Sequence, residues 1–102
     1  MSSTEKQVKQ LLSNAKQALN FLRTVLDDLI YNKEIFKISS QKTILASQER
    51  YKKHKAVLTN IENLLYEKQY PLSEKLSKHL ANNLRKRIAL IIEEAIELDR
   101  LR

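Results

Sequence analysis

The chain has 102 residues, 42% of them hydrophobic and 30% charged, with one Pro and neither Gly nor Cys. That mixture fits one folded globular domain over residues 1–102, and it excludes disorder, a disulfide framework and any thiolate metal site. The formal net charge of +7 favours association with nucleic acid, anionic lipid or an acidic partner, although it serves solubility equally well.

Gly and Pro are the usual punctuation of turns and strand ends. A chain almost without them is expected to consist of long helices joined by short polar turns, an all-α bundle. The longest apolar run, Ile88-Ala89-Leu90-Ile91-Ile92, is far too short to span a membrane. No apolar core of a signal peptide follows Met1-Ser2-Ser3-Thr4-Glu5-Lys6, so a cytoplasmic location is expected.

The first helix is predicted from about 4 to 31. Ser2 and Glu5 stand in the Ser-x-x-Glu relation of a capping box. Val8, Leu11, Leu12, Ala15, Leu19, Leu22, Leu26 and Leu29 then recur at helical spacing and define one core stripe. Phe21 falls about 120° off that stripe, so it either meets a further element or is exposed. Between Asn32 and Ser40 the helical pattern fails. Ile35, Phe36 and Ile38 are too close together for one face, which predicts a connection pinned to the core by Phe36 and Ile38. Ser39 or Ser40 would cap the next helix.

From about 41 to 69, Leu58, Ile61 and Leu65 set a core face. Carried backward along one helix, that face turns His54, Tyr51 and Ser47 inward before reaching Ile44. Buried polar groups cost stability unless each is hydrogen-bonded. A break within residues 46–55 would remove the conflict, giving an antiparallel four-helix bundle with helices near 4–31, 39–49, 54–69 and 72–100. A three-helix bundle with a long unbroken middle helix is the alternative. Pro71 suits the first helical position of the last segment. There Leu80, Leu84, Ile88, Ile91, Ala95 and Leu98 share a face. Leu22 and Ile91 are expected in the core.

No catalytic constellation emerges. His54 and His79 are far apart in sequence, and the His-x-x-x-His and Glu-x-x-His spacings of metal sites are absent. Glu93 and Glu97 share a helical face that could hold a hard cation, but a solvated face explains them more simply. Phosphate-cradling loops need glycine. The expectation is therefore a protein without catalysis, metal or cofactor.

Two features of the last helix point to binding instead. Lys75, Lys78, Asn82, Arg85 and Lys86 lie opposite the core stripe and form a basic surface for phospholipid headgroups or an acidic partner, or an ordinary solvated face. Leu90, Ile96 and Leu101 fall off the stripe, so they pack on flanking helices or form a partner patch. The candidate partner-binding residues are Lys78, Arg85, Lys86, Leu90, Ile96 and Leu101. Nucleic-acid binding through Arg50, Lys52, Lys53, Arg85 and Arg87 is the competing reading. It is weakened by interspersed acidic residues and by the lack of helix-turn-helix spacing. A generic helical adaptor is a third.

The opening Glu5-Lys6-Gln7-Val8-Lys9-Gln10-Leu11-Leu12 and the stretch 66–84, with Tyr70-Pro71-Leu72-Ser73-Glu74 ahead of the last helix, resemble immunity proteins of bacteriocin-producing lactic acid bacteria and streptococci. The likeness is to the enterocin A immunity group of the pediocin type, and it is expected to extend over nearly the whole chain. It implies an antiparallel four-helix bundle that protects the producing cell from its own pore-forming peptide. Protection would act from the cytoplasmic side, peripheral to the membrane, through a receptor and bacteriocin complex in which the receptor is a sugar-transporter permease. The C-terminal part carries much of the specificity in such proteins, and this chain is expected to do without the long tail of several relatives.

Overall fold

Four helices follow one another in the computed structural model: α1 (Ser3–Tyr31), α2 (Lys33–Ile38), α3 (Gln41–Tyr66) and α4 (Glu74–Asp99). Residues 3–38, 41–67 and 70–102 are described, without the side chains of Ser3, Lys33 and Ile38, and they contain no strand. The Ser2 half of the capping box, the Ser39 or Ser40 cap and the pinning role of Ile38 lie outside the described residues.

The long helices set their directions through side chains at their ends. Thr4 Oγ1 donates to Glu74 Oε1 at 2.9 Å, and at the other end Arg102 pairs with Asp28, so α1 and α4 run the same way. Moving up α3, Ser47 meets Glu94 and His54 meets Arg87, so α3 runs opposite to α4. The molecule measures 51 × 20 × 16 Å. With side chains a helix is about 10 Å across, so every long helix keeps a solvent face.

The α1 stripe is buried as its spacing predicts. Val8, Leu12, Ala15, Leu19, Leu22, Leu26 and Leu29 are in the core, and Leu11 packs against it half-buried. Ala18 and Val25, also buried, widen the stripe on one side. Phe21, one step further round, is exposed. Ile44, Leu58, Ile61 and Leu65 from α3 and Leu80, Ala81, Leu84, Ile91, Ala95 and Leu98 from α4 complete the core, with Ile88 at its margin. Each buried Val, Leu or Ile side chain contributes about 1.5–3 kcal/mol by leaving water.

Three expectations need correction. First, α3 is unbroken through residues 46–55, so the helices near 39–49 and 54–69 are one helix. The chain has the long middle helix of the three-helix alternative, and its fourth helix is α2. The inward polar residues are accommodated because α4 supplies partners. Ser47 Oγ donates to Glu94 Oε1 at 2.8 Å, and Arg87 Nη1 donates to His54 Nδ1 at 2.9 Å. Tyr51 packs half-buried against the core.

Second, the segment after Asn32 is helical rather than an irregular connection. Asn32 caps α2: its Oδ1 accepts from the Ile35 amide at 3.2 Å and its carbonyl from the Phe36 amide at 2.9 Å. Ile35 and Phe36 pack half-buried against the core, which is what holds so short a helix in place.

Third, Pro71 is not the first residue of the last helix. α4 begins at Glu74, and Ser73 is its N-cap, accepting from the Leu76 amide at 3.1 Å. Pro71 instead lies in the approach, beside a tie to α1: Glu5, only 2% exposed, accepts from the Leu72 amide at 3.3 Å.

Candidate functional site

All six residues singled out on the last helix are at the surface. Lys78, Arg85 and Lys86 are exposed, as are Leu90, Ile96 and Leu101. They do not form one patch. Along α4, Lys78, Arg85 and Ile96 fall within about 20° of one another and mark one edge of the helix. Leu90 lies about 120° away from Ile96, with the phase of Leu101 close to its own. Lys86 falls between the two edges. Ile92, about 20° beyond Arg85 in phase, is also exposed, so the first edge combines cations with apolar surface. Arg85 is steadied there by Asn82, whose Oδ1 accepts from its Nη1 at 3.2 Å.

Leu90 belongs to a groove between α3 and α4. The groove has two adjoining hollows. One, of about 260 Å³, is lined by Arg50, Lys53, His54, Arg87, Leu90 and Glu94. The other, of about 300 Å³, shares Arg50, Leu90 and Glu94 and adds Thr43, Glu93, Glu97 and Leu98. The groove is therefore electrically polarised along its length. Its end towards Lys53 and Arg87 is basic, and its end towards Glu93 and Glu97 is acidic. Both Glu94 oxygens are taken, Oε1 by Ser47 and Oε2 by Arg50.

At the basic end His54 and Arg87 form the central contact. A guanidinium can only donate, so His54 Nδ1 is the acceptor and the ring is neutral. Burial pushes the imidazole below its ordinary value, Arg87 and Arg50 push it the same way, and Glu94 opposes them. Arg87 makes no ion pair among the described residues, and its buried Nε has no hydrogen-bond partner. Periodicity identified Arg87 only as one cation in a basic run. Its contact with His54 is 33 residues away in sequence, and only the registry of α3 against α4 reveals it.

Glu93 and Glu97, weighed as a cation site, are exposed and border the acidic hollow. No group of three or more His, Asp or Glu side chains suited to a metal occurs among the described residues. No described helix is long and apolar enough to cross a membrane. Comparison of the chain with protein-family models, with curated proteins and with solved structures found no match.

Proposed function

We propose that this protein is a bacteriocin immunity protein that acts by binding, without catalysis, at the cytoplasmic face of the producing cell's membrane. Its partner would be a complex of the toxin with a membrane receptor, a sugar-transporter permease in the pediocin-type systems that the sequence resembles, with peripheral contact to anionic lipid. The observation that carries the reading is the outer edge of α4. Lys78, Arg85 and Ile96 stand in line there, exposed, with Ile92 beside them. Cations of this kind accelerate encounter with an anionic membrane assembly, and apolar anchors between them set residence time.

The two stretches that carry the resemblance, 5–12 and 66–84, also touch in space through Glu5 and Leu72. The bundle behind the reading has three long helices, α1, α3 and α4, with α3 antiparallel to the other two and the six-residue α2 joining α1 to α3. Expression in a sensitive strain, challenged with candidate peptides encoded in the same genome, tests it. Survival against one peptide is the expected result, and sensitivity to all of them rejects the assignment.

The second reading, a nucleic-acid-binding or adaptor domain, draws on Arg50, Lys52, Lys53, Arg85 and Arg87. Arg50 is engaged by Glu94 and Lys52 by Glu49, which leaves a broken rather than continuous basic track. Strong retention of duplex DNA at physiological salt, falling steeply as salt rises, would favour this reading over immunity.

A further inference from the structure

Among the described residues, Arg87 is the only cation with a buried side-chain donor that lacks a partner. Its guanidinium donates to a neutral imidazole rather than to a carboxylate, and its buried Nε has no partner. A buried donor left unpaired is costly, and more so when charged. The nearby carboxylate, Glu94, does not relieve it, because Ser47 and Arg50 occupy both of its oxygens. Lys53 borders the same hollow of about 260 Å³ and adds a second cation that Glu94 does not neutralise. The hollow thus combines space and surplus positive charge, with Leu90 as an apolar wall.

We propose that the basic end of the α3–α4 groove, around Lys53, His54 and Arg87, binds the phosphate group of a compact ligand. Phosphate oxygens suit both a guanidinium and an ammonium. They would take the Arg87 and Lys53 donors and supply the missing counter-charge. Glu93 and Glu97 at the other end of the groove limit the occupant to something small, because an extended polyanion would run into them. The phosphate can belong to a free phosphate compound or to a lipid headgroup that reaches the groove. This site differs from the outer edge of α4 proposed for receptor contact, and either proposal can fail without the other.

His54 reports on the site. The charged groups around it are Arg50 and Lys53 from α3 and Arg87 and Glu94 from α4. A phosphate among them favours the imidazolium, while His79, outside this hollow, is an internal control. The ring resonances of both histidines are followed against pH in chloride and in inorganic phosphate at equal ionic strength. A parallel series uses phosphatidylcholine vesicles with and without phosphatidic acid.

Inorganic phosphate is expected to raise the His54 midpoint by about one unit, with His79 unmoved. Lys53→Gln, at an exposed position, should require about tenfold more phosphate for the same shift. A shift with phosphatidic acid vesicles alone would identify a headgroup as the source. Movement of neither histidine in either series, equal movement of both, or an unchanged response in Lys53→Gln would overturn the proposal.

Discussion

His54 Nδ1 and Arg87 Nη1, 2.9 Å apart, tie the middle of α3 to the middle of α4 through a hydrogen bond that exists only while the imidazole is neutral. Protonation removes the acceptor and sets a second positive charge against the guanidinium. The bond therefore makes the α3–α4 seam sensitive to pH.

The direction follows from the folded pKa of His54, which lies below its ordinary value of 6.5 through burial and then through Arg87. In the window between the lowered value and 6.5 the unfolded chain binds more protons than the folded one. The stabilisation is complete above that window and is lost as pH falls through it. The urea midpoint should decrease on acidification from about pH 8 to about pH 5, and His54→Gln should reduce that decrease. A decrease of the same size in the variant would show that other groups cause it.

Proline in α3 tests the continuity of that helix. Lys52 is exposed and pairs with Glu49 one turn earlier, at 3.2 Å. Lys52→Pro removes a backbone hydrogen bond and forces a clash with the preceding turn, at a cost of about 3 kcal/mol or more. A connection within residues 46–55 would tolerate it. Denaturant unfolding distinguishes the two, and a change below about 0.5 kcal/mol would argue for a break.

The start of α4 gives a sharper local contrast. Ser73→Ala removes the acceptor for the Leu76 amide and should cost about 1 kcal/mol. Pro71→Ala, at an exposed residue before the cap, should change stability by no more than about 0.5 kcal/mol. If the order of the two effects is reversed in urea denaturation, Pro71 rather than Ser73 fixes the helix start.

Leu22 and Ile91 have no exposed surface. Truncation of either to alanine should cost about 2–5 kcal/mol, since neighbours only partly collapse into the space left behind. The denaturation midpoint reads this directly. Unchanged midpoints in both variants would mean that the core has been assigned to the wrong faces.

These residues also show how much of the molecule is legible in its sequence. The α1 stripe could be read because it is periodic and apolar, and so could the core face of α4. The continuity of α3 could not. Ser47 and His54 look out of place on an inward face until Glu94 and Arg87 are known to stand opposite them, and that depends on how two helices register. The penalty for burying a polar group is cancelled by a partner, and one helix's sequence does not show that partner.

The error at Pro71 was of another kind. A proline is compatible with the first helical position, but it fixes no helix start by itself; here Ser73, two residues on, supplies the side-chain acceptor that does. For α2, Asn32 ahead of Glu34 and Ile35 was a readable start, obscured because a helix of only six residues has almost no periodicity to detect. The groove was beyond reach, as its walls come from two helices and the unpaired donor of Arg87 depends on side-chain packing.

The two edges of α4 can be separated by experiment. The edge with Lys78, Arg85 and Ile96 carries both charge and apolar surface, whereas Leu90 faces the α3–α4 groove. If immunity depends on the outer edge, Lys78→Glu with Arg85→Glu should abolish protection in the sensitive strain, and Ile96→Ala should weaken it. Leu90→Ala should leave it intact. All of these positions are exposed, so each substitution should alter stability by no more than about 0.5 kcal/mol, and circular dichroism on the purified variants can verify that the helices persist. Loss of protection on changing Leu90 alone would move the contact into the groove. Full protection by the charge-reversed variant would remove the outer edge from the mechanism, whatever the fate of the immunity assignment itself.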